Sequence, residues 1–251
     1  MVQSRVFDIR LGDVVTGYIE PYWLNAIRGG ALFYPAAGDD TRPFVELFSN
    51  SIKQYHFNDL FYNTERDRRY PVPSDWMLAR RKTVPERKIR DCPCEIISTG
   101  NARIRNVEPT KLVEEFVGPD GTIEVTRRRG FGQYALAEFE PRSISVFVHR
   151  SDSIGEGGSN MWFLANRSAS HPPLARLWDS LASRLADRAL VISDGSLTNF
   201  KFLKEARKRE ARLLYSDRSS YNKYGFEWRC VGYMNDRPHS AIWGLSRSFP
   251  Y

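Results

Sequence analysis

Apolar residues along the chain gather into short runs separated by amphipathic stretches. Ala31-Leu32-Phe33-Tyr34 is one such run, following Gly29-Gly30 and short enough to be a buried strand. It ends at the turn Pro35-Ala36-Ala37-Gly38-Asp39-Asp40. A helix is predicted next, with Asp40 as N-cap and Pro43 in the first turn, where a missing N–H costs nothing. Phe44, Leu47, Phe48 and Ile52 recur at helical spacing and form its buried face. A second strand covers 55–60, with Asp59 near its end, and 94–98 is a candidate third. Ile144–Val148 and Ala189–Ile192 are further buried strands. The strongest helix spans roughly 172–187: Pro172 and Pro173 open it, and Leu174, Leu177, Trp178, Leu181 and Leu185 share one face. Another helix covers about 199–212. Strands alternating with helices predict an α/β protein built on a mostly parallel sheet.

Two stretches interrupt that alternation and read as insertions into one domain spanning 1–251. Residues 62–91 are rich in Arg and Pro. Residues 101–140 read as an antiparallel β-meander: Lys111–Val117 meets the turn Gly118-Pro119-Asp120-Gly121, Thr122–Thr126 alternates, Gly130-Phe131-Gly132 turns again, and Gln133–Phe139 resumes the alternation. The chain closes with strands at 226–233 and 240–245 around a turn at Asn235–Pro238. Their aromatics Phe226, Trp228, Tyr233 and Trp243 stand at strand spacing and are assigned to the core.

Composition narrows the class. Hydrophobic residues make up 41 % of 251 positions, too many for a disordered chain. No apolar run approaches the 18 or so residues of a membrane span, and the start lacks the build of a secretory leader. The cysteines, Cys92, Cys94 and Cys230, are odd in number and two stand one residue apart, which argues against a disulfide framework and for a reducing cytoplasm. His56, His149, His171 and His239 are too scattered to complete a zinc site, and no metal is expected.

The 37 Lys and Arg exceed the 30 Asp and Glu, for a net charge of +7. The surplus is clustered in 62–91, in Arg127-Arg128-Arg129 and in 201–212. The last alternates in sign and reads as a solvated helix face. The arginine triplet, expected on a hairpin tip, is suited to the phosphates of a nucleic acid or another anionic partner.

Candidate chemistry gathers at predicted strand ends. After Ile144–Val148 comes the loop 149–159, which carries His149, Arg150, Asp152 and Glu156 among three glycines. His149 suits a general base, oriented by Asp152 or Glu156, and Arg150 faces substrate. Asp194, after the 189–192 strand, joins the same edge. Asp39 and Asp40 at a helix start would repel a phosphate and favour a cationic or hydroxyl-bearing ligand.

A glycine-bearing strand-to-helix turn, an acid at the next strand end, and a closing helix and antiparallel hairpin come in an order that resembles the S-adenosylmethionine-dependent methyltransferases, over roughly residues 25–245. The resemblance implies a Rossmann-like fold: a mostly parallel sheet closed by the C-terminal antiparallel hairpin, here with the β-meander inserted. It further implies S-adenosylmethionine bound by Pro35, Ala36, Gly38, Asp39, Asp40 and Asp59, with Asp59 accepting from the ribose hydroxyls. His149, Asp152 and Glu156 would then be catalytic, and Arg127, Arg128, Arg129, Arg150 and Asp194 would bind substrate. The sequence departs from the family's acid and three spaced glycines. Tyr34 stands for the acid, Ala36 for the first glycine and Asp40 for the third, while Gly38 keeps the second. Also missing is the Asp-Pro-Pro-Tyr type of motif after the fourth strand. The competing expectation is a non-catalytic module that binds a partner or nucleic acid on the same frame; a third is a hydrolase or nucleotide-binding enzyme using the 149–159 loop.

Overall fold

The computed structural model describes residues 7–11, 13–35, 37–38, 41–59, 71–85, 110–129, 132–149, 177–193, 210–234 and 240–248. They form one sheet of twelve strands flanked by short helices. In chain order the elements are β1 (Phe7–Leu11), β2 (Asp13–Ile19), α1 (Pro21–Ala26), β3 (Ala31–Pro35), α2 (Arg42–Phe48), β4 (Gln54–Asp59), β5 (Met77–Pro85), β6 (Thr110–Gly118), β7 (Gly121–Arg129) and α3 (Gly132–Ala137). There follow β8 (Ile144–His149), α4 (Leu177–Arg184), β9 (Leu185–Ser193), α5 (Ala211–Asp217), β10 (Ser220–Lys223), β11 (Phe226–Met234) and β12 (Ala241–Arg247).

The spatial order is β1-β2-β11-β12-β9-β8-β3-β4-β7-β6-β5. β10 shares one edge of β11 with β2: β10 pairs with Phe226–Arg229, and β2 with Gly232–Met234. Four ladders are parallel, joining β9, β8, β3, β4 and β7. The other seven are antiparallel. The mostly parallel, Rossmann-like sheet expected from the sequence is therefore not what forms; the sheet is mixed, with a parallel centre and antiparallel wings.

The reason lies in the segments taken for insertions. β5, β6 and β7 are strands of the main sheet, and Glu124–Arg129 of β7 lies parallel to the whole of β4. On the other side the hairpin of β1 and β2 extends the sheet beyond β11. Gln133–Phe139, expected as a strand, instead forms α3 and the turn after it. Ala135 and Leu136 are buried there and Phe139 packs beside them, which is a helical spacing. The helix expected over 172–187 ends at Arg184, because buried Leu185 already belongs to β9. The candidate strand 94–98 and most of the predicted 199–212 helix lie outside the described residues.

Two cores sandwich the sheet. Trp23 and Ile27 of the α1 region and Phe44 and Phe48 of α2 cover one face, meeting Leu32, Tyr34, Tyr55, Phe57 and Val125. Leu136 of α3, Leu181 of α4 and Leu214 of α5 cover the other, meeting Phe33, Phe147, Val191 and Trp243. β3 is buried at all five positions because both its faces are covered, hence its unbroken apolar run. Each fully buried large apolar side chain contributes about 1.5–3 kcal/mol. Gly244 sets how closely α1 approaches: a Cβ there would lie 2.4 Å from the Trp23 ring. No helix among the described residues is long and apolar enough to cross a membrane.

Candidate functional site at the carboxyl edge of the parallel strands

The five parallel strands end along one line. Register places Pro35 of β3 beside Asn58, Asp59 of β4 beside Arg129 of β7, and His149 of β8 beside Ser193 of β9. From β3 the chain steps to β4 on one side, while β8 lies on its other side. Read across the sheet from β9 to β7, these are the fifth, fourth, first, second and third strands of the parallel block. Connections that diverge in this way open a crevice outside the carboxyl ends, between β3 and β8.

Beside that point the chain turns after Pro35. The Ala37 N–H donates to the Asn58 carbonyl at 3.0 Å, and the Gly38 N–H donates to Oδ2 of Asp59 at 3.0 Å. Gly38 has φ +52°, the left-handed region, and among the described residues a Cβ there would meet no heavy atom within 4 Å. Glycine is thus favoured there by backbone conformation and not by lack of room among the described residues. Asp59 is buried and links the end of β4 to the turn after β3.

Pro35, Gly38 and Asp59 are therefore brought together, and His149 ends the strand on the far side of β3. Ala36, Asp39, Asp40, Arg150, Asp152, Glu156 and Asp194 lie outside the described residues. The N-cap of α2 is Thr41 rather than Asp40, without a side-chain capping bond. Tyr34, in the place of the family's acid, is a core residue: its ring packs edge-on to Phe44 at 5.0 Å between centroids.

The arginine triplet does not form a tip. Arg127, Arg128 and Arg129 are the last residues of β7, and the hairpin tip is Pro119-Asp120. Arg127 and Arg128 are each only 3 % exposed. Alternation sends them to opposite faces. Arg127 meets the fully buried Glu114 through Nε and Nη2, both 2.9 Å from Oε2. Arg81 of β5 donates to the other oxygen of Glu114 at 3.0 and 2.7 Å. Arg128 meets Glu138, just past α3, at 3.0 Å. Arg127 and Arg128 are thus buried, ion-paired strand residues, which corrects their expected placement on an exposed hairpin tip.

The sequence did not single out His56 or Glu114. His56, on the α3 face of β4, packs edge-on to Phe139 at 4.6 Å. Burial, assisted by the charge of Lys111, lowers its pKa from 6.5 to about 4, so it is neutral at pH 7. Glu114 was legible only through the hairpin: Gly118 paired with Gly121 sets Leu112 opposite Arg127, which makes Glu114 its diagonal neighbour. Burial pushes the Cys230 thiol up to about 12, which leaves it unreactive. Comparison with protein-family models, with curated proteins and with solved structures returned no match.

Proposed function

We propose that the carboxyl edge of the five parallel strands binds S-adenosylmethionine and that the chain directs its methyl group to an anionic acceptor such as a nucleic acid. The observation that carries this reading is the bond from the Gly38 N–H to Asp59. It joins the turn after the block's first strand to an acid at the end of its second, beside the point where the connections diverge. A carboxylate has about four acceptor sites, so Asp59 can hold the turn and accept from ribose hydroxyls together. Among the described residues nothing crowds Gly38, which suits approach of a ligand to the backbone. Bound S-adenosylmethionine supplies an electrophilic methyl group on a sulfonium. The part assigned to His149 is to take the proton released by the acceptor.

The test is a thermal midpoint measured with and without S-adenosylmethionine and S-adenosylhomocysteine, since a ligand bound only by the native state raises it. A rise for the wild type that is lost in Asp59→Ala, with the variant's own melt still cooperative, supports the reading. No rise at millimolar ligand removes it. The second reading is a non-catalytic module that binds nucleic acid, and burial of Tyr34 at the acid's position favours it. It is distinguished by salt-sensitive nucleic-acid binding without any response to either nucleoside.

A further inference from the structure

On the sheet face opposite Asp59, a cavity of about 90 Å³ lies between the sheet and α3. Phe33 and Phe139 form apolar walls; His56, Lys111, Arg128 and Glu138 supply the polar lining. Its size decides what it can take. A water occupies about 30 Å³ of liquid volume and drug-sized ligands need about 300 Å³ or more, so a nucleoside is excluded while a small ion is not. Its charge decides the sign. The Arg128 side chain is 4 % exposed and Lys111 27 %, and both reach Glu138, at 3.0 and 3.4 Å. Two cations thus converge on one carboxylate, and that carboxylate belongs to a side chain 46 % exposed on the turn after a short helix.

We infer that this cavity binds a small oxyanion, a phosphate or carboxylate group, held by Lys111 and Arg128 in place of the Glu138 carboxylate. Glu138 is the internal stand-in: its carboxylate already occupies the position that suits an oxyanion between an ammonium and a guanidinium. The guanidinium fork of Arg128 matches either oxyanion through paired N–H donors. Glu138 is half exposed on a turn and can swing toward solvent, while the incoming oxyanion takes over the neutralisation of the buried Arg128. This site does not depend on the methyl-transfer proposal, and its test contains no nucleoside.

Thermal midpoints are compared in sodium phosphate, sodium acetate and sodium chloride at equal ionic strength. Phosphate or acetate raises the midpoint of the wild type above its value in chloride, and which of the two does so identifies the group. Glu138→Gln removes the competing carboxylate and tightens binding at least threefold. Lys111→Gln, at a partly exposed position, weakens it at least threefold. Equal midpoints in all three salts for wild type and Glu138→Gln overturn the inference. So does an affinity in Lys111→Gln equal to that of the wild type, since the effect would then be a general anion effect. Should Glu138→Gln fail to fold, the comparison of Lys111→Gln with wild type still decides.

Discussion

At the residue scale, small groups fix the candidate site. Gly38 holds φ +52° while its N–H is bonded to Asp59. Gly38→Ala keeps that bond but places a Cβ in the left-handed region, which costs about 1 kcal/mol or slightly more. Urea denaturation should show a lower midpoint with an unchanged slope; an unchanged midpoint would mean the turn does not hold this conformation. His56 yields a pH prediction. Its folded pKa of about 4 lies below the unfolded value of 6.5, so the unfolded chain binds the proton more readily. Stability is therefore full above pH 6.5 and falls as pH drops toward 4, by up to about 3 kcal/mol. Lys111 of β6, Arg128 of β7 and Glu138 after α3 face the same cavity, and the charge of Lys111 adds to burial in opposing protonation. His56→Gln should flatten this part of the pH profile relative to wild type, and parallel profiles would contradict it. Gly38 and Asp59 were legible in the sequence because a turn and a strand end are local signals. His56 was not, because its burial comes from Phe139 and Lys111, far along the chain.

At the scale of elements, β5, β6 and β7 behave as one unit. Arg81, Glu114 and Arg127 form a triad, each contributed by a different strand, in which Glu114 and Arg127 are buried and the Arg81 side chain is 42 % exposed. Removing the central carboxylate leaves a buried guanidinium without this partner, a change that costs about 3–5 kcal/mol. Glu114→Ala should lower the denaturation free energy by that amount. The combined replacement Arg81→Met, Glu114→Leu and Arg127→Met should come close to wild type, since desolvating the buried Glu114 and Arg127 offsets most of the attraction in the triad. If the triple variant is as unstable as Glu114→Ala, packing rather than charge is what Glu114 supplies. The turn at 118–121 and the alternation of 122–126 were readable in the sequence, but their placement was not. Thr122–Thr126 alternates equally well in a free hairpin and in a strand paired with β4; only the long-range pairing with 54–59 separates the two. Ala135 and Leu136 show the opposite failure, a short helix whose apolar residues also suit a strand.

At the scale of the molecule, the sheet divides into a parallel centre, whose carboxyl ends hold the candidate site, and antiparallel wings; their hairpins at 111–126 and 226–245 were expected from the sequence, but their union with the centre in one mixed sheet was not. The wings matter for the basic surplus. Arg127 and Arg128 are buried in ion pairs and add little to the exposed basic surface. Among the described residues the outer strand β5 is the clearest exposed basic element: Arg80 is 71 % exposed in its side chain, and Lys82 is exposed beside it. Charged residues there also protect a sheet edge from pairing with other chains, and that role alone would explain them. Salt dependence separates the two roles. The bond from Arg80 to Glu115 at 3.1 Å is exposed and weak, so a phosphate can displace the carboxylate. If nucleic acid is the acceptor and lies along β5, log affinity falls linearly with log salt at about 0.9 per phosphate contacted on a duplex. Replacing Arg80 and Lys82 together by Gln should then reduce that slope by about 2 and weaken binding alike for every sequence tested. An unchanged slope with increased self-association would assign β5 to edge protection and leave the acceptor to another surface.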